Sequence, residues 1–150
     1  MTPQEIRDAI AASPELQALG ANTQVIADIL SVGRKRVVSR IVSARGVASD
    51  FPAGPLAAEG VLMKLEGAAA QLSASAATQE KVLGSLISRQ LKFLAGEGLD
   101  FGSLALRSML DQFAVMGILT TGEVEGLQSL ALVDDPVTHT QVGAALRGDI

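Results

Sequence analysis

Five of the chain's twelve cations, Arg34, Lys35, Arg36, Arg40 and Arg45, fall within one short stretch, and no acid lies between Asp28 and Asp50. Guanidinium groups pair bidentately with phosphates and carboxylates, so this stretch has the composition of a contact for a nucleic-acid backbone or for an acidic partner surface. A second reading fits the same residues: a solvated face balanced by the acids of the C-terminal half. Residues 1–75 carry seven cations and seven anions, whereas residues 76–150 carry five cations and nine anions, so the net charge of −4 belongs to the second half. With no global basic field, nucleic-acid binding driven by counterion release alone is disfavoured.

The other chemistry-bearing residues make weaker constellations. His139, the single histidine, stands between two threonines at a helix start and has no cysteine to join it in a metal site. It reads as a surface residue beside a cap. The acidic pairs Glu123 with Glu125 and Asp134 with Asp135 lack the alternating ligand loop of an EF-hand and read as solvated helix ends. Asp100-Phe101-Gly102 spells a kinase tripeptide without the glycine-rich loop or catalytic loop that a kinase needs, so the match reads as chance. No serine lies in a G-x-S-x-G elbow. The expectation is a protein that is not an enzyme, with no catalytic residues, no metal and no cofactor.

The elements that must carry these residues are helices. Thr2-Pro3-Gln4-Glu5 combines a capping threonine, a proline suited to the first turn and a glutamate that closes a capping box. Ser13-Pro14-Glu15 repeats the signal, and Asn22 or Thr23 starts a third helix containing Val25, Ile26, Ile29 and Leu30. The secondary structure of 34–46 stays open, because its Val and Ile suit a strand while its apolar residues come in pairs. Asp50 to Pro55 reads as a turn or linker. A helix then runs from Pro55 to about Leu72, weakened by Gly60 and Gly67. The Ala/Ser tract from Ala68 to Ala77 suits either a packed helix or a joint. Thr78 is expected to cap Gln79 to Ala95, which carries the most persistent apolar stripe. Helices over Ser103 to Met116, from Thr120-Thr121-Gly122-Glu123 onward and from Thr138 complete the chain. The hairpin from Met109 to Ala131 is a poor DNA reader, since Glu123 and Glu125 stand where phosphates would be met.

The 150 residues are 48% apolar and 19% charged, dominated by Ala, Leu, Val and Ile, with four Phe, no Tyr, no Trp and no Cys. Small aliphatic helix formers favour helix-on-helix packing, and the scarcity of aromatics argues against a base-stacking platform. The predicted fold is all-α, a single-domain bundle or array of about eight short helices over residues 1–150, with candidate hinges at 46–55 and 68–78. Ile29, Leu62, Leu86, Leu110, Phe113 and Leu130 are the expected core, each costing roughly 2–5 kcal/mol on truncation to Ala where fully buried. Neither a signal peptide nor a membrane span is expected.

Three stretches together resemble small uncharacterised α-helical proteins encoded by tailed bacteriophages. They are Met1-Thr2-Pro3-Gln4-Glu5-Ile6-Arg7 with Ala18-Leu19, the Leu30 to Arg40 block, and Leu127 to Leu146 with Asp135-Pro136-Val137-Thr138. The resemblance covers both ends, about half of the chain, and includes no catalytic motif. It implies a structural or accessory virion protein, capsid-, connector- or tail-associated, in the virion or the host cytoplasm. Its expected partners are other virion proteins or itself, with no membrane and no small-molecule substrate. Two alternatives accompany it: a soluble phage protein that binds and inhibits a host factor, and a nucleic-acid accessory protein contacting the backbone through 34–45.

Overall fold

The computed structural model describes residues 1–148 and is an all-α array of short helices with a few two- and three-residue strands. The chain divides into two compact units, one made of residues 1–36 and 133–150, the other of residues 37–132. The stretches 46–55 and 68–78 both lie inside the second unit.

The first unit holds α1 (Pro3–Ala12), α2 (Pro14–Ala18), α3 (Thr23–Ser31) and, from the far end of the chain, α9 (His139–Arg147). Local chemistry sets the helix starts. Thr2 and Glu5 form a reciprocal capping box, Ser13 and Asn22 accept from the third residue of their helices, and Thr138 with Gln141 forms a second box. α9 packs against α1 and α3, and Ile6, Leu16, Ile26, Ala27, Val137, Val142 and Ala145 form the core. Ser31 ties the two segments polar-to-polar: its hydroxyl donates to Ala27 O at 2.7 Å and accepts from Val137 N at 2.8 Å.

The second unit contains α4 (Ala44–Asp50), α5 (Pro55–Ser73), α6 (Thr78–Ala95), α7 (Leu104–Val115) and α8 (Thr121–Ser129). α5 and α6 form a close helical hairpin. At its tightest point a Cβ on Gly84 would fall 2.6 Å from Ser73 N and 2.9 Å from Ala69 O, so the two backbones meet because glycine leaves room. Phe51, Val61, Ile87, Phe101, Leu110, Phe113 and Leu127 lie in the core of this unit. β2 (Ile41–Val42) pairs antiparallel with β3 (Leu99–Asp100), Ile41 facing Asp100 and Val42 facing Leu99. β1 (Lys35–Val37) and β4 (Leu132–Asp134), most of whose residues belong to the first unit, form a second two-stranded sheet.

Two expectations need correction, the core residues and the start of α6. Ile29 is 47% exposed and Leu86 38% exposed, and Leu62 is half-buried, whereas Leu110, Phe113 and Leu130 are buried as expected. A helical stripe states that a face is apolar and does not state which part of it another element covers. The start of α6 also differs, since Ala77 occupies the cap position without a side-chain hydrogen bond and Thr78 is already helical. The basic stretch is short strand, turn, short strand and the start of α4, while the Ala/Ser tract is helix through Ser73 and turn thereafter.

Candidate functional site

The basic stretch was the leading site on sequence, and most of its charge is answered within the chain. In the first unit Arg34 Nη2 donates to Asp135 Oδ2 at 2.8 Å, its Nε donates to Asp135 O at 3.3 Å, and Lys35 pairs with Asp134. Arg34's hydrogen bond holds the Asp135 carboxyl below the ordinary aspartate range; partial burial opposes this, and the charges of Arg34, the N-terminal amine and Arg36 reinforce it. In the second unit Arg40 Nη2 donates to Asp50 Oδ2 at 2.7 Å and Nη1 donates to Leu130 O at 2.8 Å. Arg36 and Arg45 are exposed and, among the described residues, make no ion pair or side-chain hydrogen bond. The stretch is divided between the units, with Arg34, Lys35 and Arg36 in the first and Arg40 and Arg45 in the second.

Asp100-Phe101-Gly102 has a structural task that sequence reading missed. Asp100 Oδ1 accepts from Arg40 N and Gly102 N, each at 2.9 Å, and Oδ2 accepts from Ser39 Oγ at 2.7 Å. The Ser39 hydrogen bond first, then those from the Arg40 and Gly102 amides, hold the Asp100 carboxyl below its ordinary range. Phe101 is buried beside it, and a Cβ on Gly102 would fall 1.8 Å from Val38 O, a contact only glycine avoids. The tripeptide thus fastens the turn between β1 and β2 to the segment after β3.

The remaining candidates separate in the same way. His139 is the exposed first residue of α9. Glu123 closes the capping box of α8 and pairs with Lys64 at 2.6 Å. Its partial burial would raise its pKa, but the hydrogen bonds from Lys64 and Thr120 outweigh this and lower it. Glu125 is exposed. Among the described residues no three His, Cys, Asp or Glu side chains converge in a metal-binding group.

What the structure does bring together is apolar. Beside α6 and α7 in the second unit lies an open groove of about 600 Å³, lined by Leu83, Leu86, Leu106, Met109, Phe113 and Met116, with Gln90, Gln112, Ser103 and the already hydrogen-bonded Asp100 as its polar groups. Along the outer side of α6, Val82 (63% exposed), Leu86 and Phe93 (48% exposed) stand in solvent. The sequence carried a signal for this face. The apolar positions of α6 span too wide an arc for one contact: Ile87 and Leu94 turn inward into the core of the unit, which leaves Val82, Leu86 and Phe93 outside.

Among the described residues no helix is long and apolar enough to cross a membrane. Models of known protein families, curated proteins and solved structures give no match to this chain.

Proposed function

We propose that this chain works as a non-enzymatic structural or accessory component of a tailed-phage virion, acting through protein–protein contacts. The observation that carries the contact reading is the uncovered apolar surface of the second unit, where the α6–α7 groove adjoins three exposed large apolar side chains. The phage setting is drawn from the resemblance at both ends of the chain. A nucleic-acid role for 34–45 is less favoured, because Arg34, Lys35 and Arg40 are already paired with Asp135, Asp134 and Asp50.

The test is composition. Particles purified from a lysate of the parent phage and treated with nuclease should contain the chain by mass spectrometry, in fixed ratio to a major capsid subunit. A chain confined to the soluble fraction of the lysate overturns the virion assignment and leaves the alternative of a soluble phage protein that binds a host factor.

A further inference from the structure

We infer that the outer face of α6 and the groove beside it form a docking surface for an acidic amphipathic helix of a partner protein. This rests on the reading of a chain that acts through protein contacts, and it names the chemistry of one such partner.

Spacing sets the apolar line. Val82, Leu86, Arg89 and Phe93 follow one another at helical intervals of four, three and four residues, so they stand in one line along α6. Lys81, Ser85 and Lys92 border this line on one side, by the same helical geometry. The groove borders it on the other, where Leu83 and Gln90 face α7. Leu86 belongs to both the line and the groove.

Charge then selects the occupant. Among the described residues the side chains of Lys81, Arg89 and Lys92 take part in no ion pair or hydrogen bond, although the chain is net acidic and Arg34, Lys35, Arg40 and Lys64 all have carboxylate partners. Glu80, the acid of this helix, is held by Ser75. The surface therefore offers an apolar line with an unanswered positive flank. A helix with apolar residues at intervals of three and four, and carboxylates along one flank, complements both at once.

A cationic amphipathic face also suits an anionic bilayer. Concavity decides between the two. A groove of about 600 Å³ receives side chains projecting from a ridge, and Met109 and Met116 in its wall adapt to the shape inserted, whereas a flat lipid surface leaves such a groove unfilled. Nucleic acid would find Phe93 as the one aromatic ring on the line, too little for a stacking platform.

The test uses the full chain and a labelled synthetic peptide of roughly 18 residues, five helical turns, with leucines at helical spacing and glutamates along one flank. An isomer carrying lysines in place of the glutamates, a phosphatidylcholine–phosphatidylserine vesicle and a single-stranded oligonucleotide are titrated in parallel. The glutamate peptide is expected to bind saturably and to weaken with added salt. Combined Lys81→Gln, Arg89→Gln and Lys92→Gln should leave the thermal midpoint nearly unchanged and weaken binding about tenfold. Leu86→Asp should abolish it. Absence of binding, equal binding of the lysine isomer, indifference to the triple glutamine variant, or binding only to vesicle or oligonucleotide overturns the inference. If the peptide binds as expected and the chain is missing from particles, the virion assignment fails and the docking surface stands; the reverse result sinks the docking surface alone.

Discussion

Gly126 of α8 lies so close to Phe51 that a Cβ on it would sit 2.7 Å from Cε2 and 2.8 Å from Cζ of the ring. Phe51 is buried and cannot swing aside without opening the core of its unit. Alanine in a helix ordinarily gains about 1 kcal/mol over glycine, but overpacking a filled core costs about 1–3 kcal/mol. Gly126→Ala should therefore fail to stabilise and should cost up to about 2 kcal/mol by urea denaturation. Gly60 and Gly67 of α5 have open space where a Cβ would go, so alanine there should stabilise by roughly 0.5–1 kcal/mol each. Equal effects at all three positions would contradict the packing described.

Arg40 and Arg36 should behave differently although they stand four residues apart in the same basic stretch. Arg40 holds both the Asp50 carboxylate and the Leu130 carbonyl, so Arg40→Ala should cost about 1 kcal/mol. Arg36→Ala removes an exposed cation that has no ion pair among the described residues and should stay within about 0.5 kcal/mol. Thermal melts of the two variants check this. A larger loss at Arg36 would mean that the stretch is held by contacts other than those seen.

The lowered carboxylates Asp100, Asp135 and Glu123 fix the sign of the acid response. A carboxyl with a folded pKa below its unfolded one contributes stability that is complete above the unfolded value and disappears as pH falls through the folded value. Urea midpoints should therefore be flat near neutrality and fall below about pH 4. Asp100→Asn keeps an oxygen for the Arg40 and Gly102 amides and loses the charge. It should be less stable than the parent at pH 7, with the difference shrinking toward about pH 3. A difference independent of pH would show that the carboxylate charge is not what fastens this turn.

The helix starts were legible because capping is chemistry over three residues. Thr2 with Glu5, Ser13, Thr120 with Glu123 and Thr138 with Gln141 are found where the sequence signals them. The contacts of the candidate site were not. Asp135 lies 101 positions from Arg34, and Asp100 lies 61 from Ser39, so no local pattern couples them. Ile29 and Leu86 read as core on sequence for a related reason. Periodicity identifies an apolar arc, and only tertiary packing decides which part of it is covered.

The first unit is assembled from two stretches with the whole of residues 37–132 between them. On a translating ribosome α1 and α3 emerge long before α9 exists, and Ile6 and Ile26 cannot be buried against Val142 and Ala145 until it does. At ordinary elongation speeds that interval is on the order of ten seconds, and by its end the middle of the chain has gained every one of its own packing partners while α9 is still to come. Nascent molecules thus pass through a stage in which the central unit can close while the amino-terminal helices still present bare aliphatic faces to chaperones or to neighbouring chains.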